Sequence, residues 1–309
     1  MGSDHTTTTA PVTADGRFAP SPTGPLHLGS LRTALVAWLM ARSQGARFLL
    51  RIEDLDPQRS RVQFEALQLG DLRALGIDWD EEPVRQSERT SLYDDALARL
   101  DASGRLYPCF CTRAEIREAA SAPHGKLPEG FYPGTCHELP AAERERRVQS
   151  GERHALRLRA DGERIEWHDR LRGQQSGTVD DFVVVRADGV HAYQLAVVVD
   201  DAAQQIGEVV RGADLADSTP RQILLQRLLG LPTPSYAHVP LVLGPGGARL
   251  AKRDGGATLA LRDESAEHTL ALLAHSLGLA RDRASVGSAT DLVAEFDPGL
   301  IPKRSIIFA

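Results

Sequence analysis

From Arg17 to Gly45 the sequence reads RFAPSPTGPLHLGSLRTALVAWLMARSQG, which starts as loop chemistry and ends as a helix. Pro20, Pro22, Gly24 and Pro25 exclude regular structure, because proline fixes φ and lacks an N–H while glycine adopts the dihedrals of tight turns. After Ser30, the residues Leu31, Ala34, Leu35, Trp38 and Leu39 recur at the spacing of one buried helical face, and Gly45 supplies a stop. His27, Gly29 and Ser30 therefore fall at a helix N-terminus. Unpaired N–H groups and the positive end of the helix dipole favour an anion such as phosphate there. A nucleotide site is the first expectation; an ordinary capped helix with a solvated histidine would leave the same local pattern.

The chain is large enough for an enzyme of two domains: 309 residues, 42% hydrophobic and 25% charged, an ordinary balance for a globular protein. Residues 1–16 are polar, read as disordered, and lack the apolar core of a secretory signal. No run reaches the roughly 18 apolar residues of a membrane span, since Arg32 and Arg42 bracket the longest candidate. A cytoplasmic protein with no membrane partner is expected. The net charge of −6 gives no global attraction to nucleic acid, although binding depends on local basic patches rather than on the sum.

Strands alternate with helices along most of the chain. ARFLLRIE reads as a strand, RVQFEALQLGDLRALG as a helix with a glycine end, and YQLAVVVDDA and GEVVRG as strands. TPRQILLQRLLG is a helix with Thr219 and Pro220 as cap and first turn, followed by HVPLVLG. This is α/β organisation with its sheet split in sequence. Between the halves lie a cysteine segment, the charged helix-like run AAERERRVQSGERHALRLRA and a short polar β-like region, together an insertion. The expected boundaries are 17–105 and 188–262 for the two halves of the sheet domain, 106–187 for the insertion, and 263–309 for a small C-terminal appendage.

All three cysteines fall within CFCTRAEIREAASAPHGKLPEGFYPGTC. In a cytosolic chain such clustering of Cys109, Cys111 and Cys136 points to one structural zinc ion, and a closed site needs a fourth ligand. His124, Tyr132 and His137 are the nearby candidates, and residue type favours a histidine; three free thiols are the bland alternative. A second glycine-rich loop, LGPGGARLAKRDGGA, places Arg249, Lys252 and Arg253 where they can close on a polyphosphate. Seen alone, it would read as a basic hairpin tip.

Together these stretches resemble the class I aminoacyl-tRNA synthetases of the glutamyl branch. RFAPSPTGPLHLGSLRTAL is similar to that branch's HIGH region, RIEDLD to its amino-acid-site strand, VVRGADL to a later strand end, and RLAKR to the KMSKS loop. Arg249 stands at the first position of that last motif and Ala251 replaces the usual serine, while Lys252 is retained. The resemblance implies a Rossmann-type parallel sheet with an inserted zinc domain, and a ligase that uses ATP, with Mg²⁺ accompanying it, and L-glutamate. It assigns catalysis to His27 and Lys252, ATP contacts also to Gly29 and Ser30, and glutamate contacts to Arg17, Ala19, Ser21, Glu53, Tyr193 and Arg211. An arginine fork suits a second carboxylate better than a lysine point charge. Asp200 and Asp201 are weaker candidates, read as structural at a strand end. Ordinary glutamyl enzymes carry a large helical anticodon-binding region after the KMSKS loop, where only residues 263–309 follow here. That shortening, and a tyrosine between C-x-C and the last cysteine, resemble the short members of the branch. The resemblance therefore names Tyr132 as the fourth zinc ligand. It implies queuosine at the anticodon wobble position of tRNA(Asp) as acceptor, with a tRNA 3′ end as the alternative, and a monomer. Arg144, Arg146, Arg147 and Arg153 are the insertion's candidates for holding the RNA backbone.

Overall fold

The computed structural model describes residues 14–120, 131–244, 265–280 and 286–307. The first half runs β1 (Gly16–Phe18), α1 (Leu28–Arg42), β2 (Phe48–Ile52), α2 (Val62–Ala74), β3 (Val84–Arg85) and α3 (Thr90–Ala102). The middle segment contains β4 (Leu106–Cys109), α4 (Arg113–Ala120), α5 (Ala141–Gln149), β5 (Ala155–Leu158), β6 (Arg164–Asp169), β7 (Gly173–Thr178) and β8 (Phe182–Val185). The second half is α6 (Tyr193–Ala203), β9 (Glu208–Gly212), α7 (Thr219–Leu228), β10 (Ser235–Val239), β11 (Val242–Leu243), α8 (Ala266–Ser276) and β12 (Ile306–Ile307).

Seven strands form the main sheet in the order β3-β2-β1-β9-β10-β6-β7. From β3 to β6 every pairing is parallel, and β7 closes the edge as an antiparallel hairpin partner of β6. Strands β1 and β9 lie side by side although the insertion separates them in sequence, so the split sheet is real. Parallel strands of this kind need both faces covered, and two apolar cores do so. One joins α1 and α8 to the sheet through Leu35, Phe48, Leu50 and Leu273; the other gathers Leu49, Val198, Ile223 and Leu224. Gly16 is the point of closest approach: a Cβ there would meet the Ala41 Cβ at 3.2 Å, so only glycine lets β1 lie against α1 without displacement.

Several expectations change. YQLAVVVDDA is not a strand but the helix α6, with Leu195 through Asp201 all buried. A helix buried on every side shows no polar face, so its apolar run imitates a buried strand. Asp200 and Asp201 accordingly sit near a helix end rather than a strand end. The charged run is two elements, since α5 stops at Gln149, Gly151 takes φ +77°, and β5 follows. The insertion is not one separate unit: β4, β5 and β8 make their own antiparallel sheet, while β6 and β7 join the main sheet through Tyr236 and Asp169. The expected disordered segment 1–16 runs too far, because Gly16 is in β1 and Asp15 forms an ion pair with Arg47. The C-terminal residues are more than an appendage, as Leu270, Leu273, Leu277 and Ile301 share the core of α1 and β12 pairs with β11.

A buried charge network holds the first strands to α6. Asp200 accepts hydrogen bonds from Gln86 Nε2 (2.8 Å), Arg89 Nε (2.7 Å) and Tyr93 Oη (2.8 Å) and faces the Arg51 guanidinium at 3.7 Å. Asp201 accepts from Arg51 Nη1 (2.7 Å) and Arg17 Nε (3.2 Å). Burial alone would lower the Arg51 pKa, but Asp201, Glu53 and Asp200 together raise it above its ordinary value. Replacing Asp200 with alanine leaves these donors facing a hole, and the expected loss is roughly 3–5 kcal/mol, the range for removing one partner of a buried pair. Urea unfolding checks it; a loss below about 1 kcal/mol, the scale of an exposed pair, would show that the network relaxes around the gap.

Candidate active site

The loop between β1 and α1 is pinned from both sides. Glu53 N–H at the end of β2 donates to the Pro20 carbonyl (3.0 Å), and the Gln68 side chain of α2 donates to the carbonyls of Ser21 (3.0 Å) and Gly24 (2.6 Å). The loop ends at His27, which is the N-cap of α1: its Nδ1 accepts from Ser30 N–H at 3.1 Å. In the neutral ring that bond leaves Nε2 as the N–H donor, 3.1 Å from Ser30 Oγ. Gly29 packs against the imidazole, where a Cβ would approach the ring to 3.1 Å. The helix start thus presents an N–H donor and a positive dipole end together.

A cavity of about 460 Å³ opens beside this helix start, at the C-terminal ends of the central parallel strands. Arg17, Ala19, Ser21, His27, Gly29, Ser30, Glu53, Tyr193 and Arg211 all line it. These nine residues come to one cavity from four separate stretches of the chain. Lys252, Arg249, Ala251 and most of the second glycine-rich loop lie outside the described residues, although Pro240, Leu241 and Val242, which lead to it, form part of the wall.

Charge is unevenly distributed around this space. Arg17 is buried and bonded to Asp201 and to the Val210 carbonyl (3.1 Å). Glu53 lies beside Arg51 at 3.4 Å; burial raises its pKa, more than Arg51 and Arg17 lower it. Arg211 differs. Its Nε donates to His238 Nε2 (3.1 Å), Nη1 to Gln222 Oε1 (2.7 Å) and at longer range to Tyr193 Oη (3.4 Å), and Nη2 to Thr219 Oγ1 (2.8 Å). All four partners are neutral or can be, and among the described residues no carboxylate lies within ion-pair distance of it. A buried guanidinium without a counter-ion is costly, and an anionic ligand would supply the missing charge.

Sequence reasoning missed Gln68, Thr219, Gln222 and His238. Gln68 is one polar residue on an amphipathic helix, and Thr219 was seen only as a cap. The one available signal for His238 is a histidine at the head of the apolar stretch HVPLVLG.

The cysteines do converge. The sulfurs of Cys109, Cys111 and Cys136 lie within 4.8 Å of one another. Tyr132 Oη is 3.4 Å from Cys109 Sγ and 3.7 Å from Cys111 Sγ, and Cys111 and Cys136 sulfurs are 3.4 Å apart. These three separations are close to the edge of about 3.8 Å of a tetrahedron with metal–sulfur bonds of about 2.3 Å. Phe110 N–H also donates to Cys136 Sγ (3.3 Å), a contact that suits a ligating thiolate. The donor set fits a metal ion. Tyr132 Oη lies beside the sulfurs, whereas His137 Nδ1 is 3.0 Å from Asp181; His124 lies outside the described residues.

The insertion's arginines are engaged within the chain. Arg144 donates to the carbonyls of His137 (3.1 Å) and Leu139 (2.6 Å), Arg146 pairs with Glu143, Arg147 with Glu152 while stacking over Phe110, and Arg153 donates to Ala187 O (2.9 Å). Any RNA backbone contact must share them with these partners.

Comparison with known proteins agrees with this geometry. Residues 13–280 match the family described as tRNA synthetases class I (E and Q), catalytic domain. A protein of Nocardia farcinica named glutamyl-Q tRNA(Asp) synthetase is 55% identical over 94% of this chain and 91% of its own length. One of the same name from Symbiobacterium thermophilum is 51% identical over 94% of each. The chain belongs to the glutamyl-Q tRNA(Asp) synthetase family. It is a ligase of the class I aminoacyl-tRNA synthetase type. Among solved structures, a glutamate tRNA ligase of Elizabethkingia meningosepticum in complex with its amino acid superposes with a TM-score of 0.82 at 30% identity, over 96% of this chain and 67% of that one. Glutamate-tRNA synthetase of Elizabethkingia anophelis superposes at 0.83 with 30% identity, over 96% and 68%. Among the described residues no helix is long and apolar enough to cross a membrane.

The cap on α1 carries a stability prediction for this glutamyl-Q tRNA(Asp) synthetase family member. His27→Ala removes the acceptor for Ser30 N–H and is expected to cost about 1 kcal/mol, while His27→Asn, a strong N-cap residue, retains most of it. Chemical unfolding of both variants checks the order; equal stability would show that the imidazole contributes nothing as a cap.

Proposed function

We propose that the protein activates L-glutamate with ATP and transfers the glutamyl group to queuosine at the anticodon wobble position of tRNA(Asp). The observation that carries the first half is the unneutralised Arg211 guanidinium in a cavity that also holds Glu53 and the capped start of α1. Glutamate has one ammonium and two carboxylates. Glu53 offers an anion to the ammonium, and Arg211 with Tyr193 offers donors to the side-chain carboxylate, which separates glutamate from glutamine. The α-carboxylate then attacks the α-phosphate of ATP, and pyrophosphate leaves. Two anions must approach, so the site has to offset their charge: the His27 Nε2–H, the Gly29 N–H and the Ser30 hydroxyl at the helix start, together with Lys252 of the second glycine-rich loop. Mg²⁺ arrives with ATP and neutralises phosphate charge.

The second half is supported by the names of the relatives, which align with this chain over nearly their whole length. A diol on the cyclopentene ring of queuosine offers a hydroxyl to the activated carboxyl group, as a terminal ribose does in ordinary aminoacylation. The cytoplasm, where ATP and tRNA meet, is the corresponding location, and a monomer is sufficient for the chemistry. Labelled glutamate with ATP is expected to label queuosine-containing tRNA(Asp) on the anticodon fragment after nuclease digestion and to leave a queuosine-free transcript unlabelled. Label at the 3′ end of tRNA(Glu) alone would instead establish the reaction of the glutamate tRNA ligases that share this fold.

Zinc is the proposed occupant of the Cys109, Cys111, Tyr132 and Cys136 set, and its role is to order the insertion, since four protein ligands leave no position for substrate. Purified protein is expected to contain about one equivalent of zinc, and Cys136→Ser to lose it. An active, folded preparation without zinc by elemental analysis would reject the assignment.

A further inference from the structure

Arg211 is held in one plane by an arrangement that begins outside the cavity. Its Nε can only donate, and the atom it meets is His238 Nε2 at 3.1 Å. Thr219 Oγ1 accepts from Arg211 Nη2, and its own proton points to the same histidine nitrogen, 3.3 Å away. His238 Nε2 therefore faces two donors and must offer a lone pair. The opposite ring nitrogen, Nδ1, meets Asp169 Oδ2 and supplies the proton of that bond. His238 and Asp169 are both fully buried. Burial lowers the His238 pKa, and Arg211 acts in the same direction against the opposing effect of Asp169. A protonated Nε2 would set an N–H against the Arg211 N–H and one positive charge against another.

Asp169 is itself fixed. It ends β6, and its Oδ1 accepts from the N–H groups of Leu171 (3.0 Å) and Arg172 (2.9 Å) in the turn that follows. The residue comes from the hairpin that leaves the insertion to join β10.

We propose that His238, oriented by Asp169, is a positioning residue that fixes the Arg211 guanidinium plane so that its remaining N–H selects a side-chain carboxylate over a carboxamide. The inference rests on Arg211 as the partner of that carboxylate. Three anchors, His238, Gln222 and Thr219, consume most of the guanidinium's donors. What is left is an Nη2 N–H and the long bond to Tyr193, which a ligand oxygen can replace. A guanidinium free to turn would still attract an anion but would present no fixed geometry. Discrimination against glutamine would then fall further than binding of ATP, whose contacts lie at the helix start.

The test is amino-acid-dependent ATP–pyrophosphate exchange by the full-length protein, with KM for glutamate and for ATP measured separately and glutamine as the competing amino acid. His238→Leu removes both ring bonds. The KM for glutamate is expected to rise roughly 10- to 100-fold, the scale of one hydrogen bond to a charged group, with the ATP KM within about twofold and the glutamate-to-glutamine preference reduced. His238→Gln places an acceptor near the lost Nε2 and should recover part of the glutamate KM. Asp169→Asn retains an acceptor for the turn amides but lets the wrong histidine tautomer form, and should resemble His238→Leu. If His238→Leu does not fold, the Gln and Asn variants decide. Glutamate and ATP KM values that rise together, an unchanged glutamine preference, or no recovery in His238→Gln would each overturn the positioning role. Absence of glutamate-dependent exchange in the unaltered protein would overturn the underlying reading instead, so the two failures are distinguishable.

Discussion

The pair Asp200 and Asp201 is the constraint on which the rest of the site is built. Both carboxylates are buried near the end of α6, and removing two such charges from water is unfavourable unless each is met by donors in good geometry. The donors arrive from Arg17 on β1, Arg51 on β2, Gln86 after β3, and Arg89 and Tyr93 at the start of α3. One helix end therefore registers three parallel strands and a second helix. It also sets the polarity of the cavity, because Arg17 and Arg51 are neutralised there and add little net positive charge to the space above them. Arg211, on the neighbouring strand β9, keeps its charge for a ligand.

How much of this can be read from the chain depends on whether the signal is local. The proline-rich loop, the start of α1 and its buried face are local chemistry, and His27 lies where the dihedral preferences of its neighbours require a helix to begin. Of the nine cavity residues, His27, Gly29 and Ser30 are legible from the loop-to-helix pattern, and the other six because their stretches resemble a family. Local pattern failed at α6, where burial on every side erased the polar face that distinguishes a helix from a buried strand. It failed again at the β6–β7 hairpin, whose partner β10 lies more than 50 residues further along the chain. At the cysteine cluster residue type ranks donors, but only the fold shows that His137 is turned toward Asp181 while Tyr132 lies beside the sulfurs.

The negative overall charge and the engaged arginines of the insertion also belong together. A chain at −6 that approaches RNA through unpaired arginines alone would face its own acidic surface at long range. Here Arg146 and Arg147 are paired on the surface with Glu143 and Glu152, contacts that contribute little to stability and exchange readily. A phosphate that displaces such a glutamate gains a cation whose side chain is already partly ordered.

The insertion is attached to the residues around the cavity at two places. Asp169 carries the hairpin to β10 and His238. Asp180 accepts from Tyr132 N–H (2.8 Å) beside the cysteine cluster and from Arg221 Nε (2.8 Å) on α7, the helix that also bears Thr219 and Gln222. Asp181, the next residue, accepts from Tyr107 Oη (2.7 Å) and from Ala160 N–H (2.8 Å), which ties the small antiparallel sheet to the same corner. The residues that immobilise Arg211 are thus supported from the insertion's side of the molecule. A metal held by the three cysteines would resist the fraying that a loop-rich segment otherwise undergoes. Ordering that segment would keep both attachments in place, so a metal held by the sulfur cluster would act on the cavity through the rigidity of α7 and β10, without contact with the substrate.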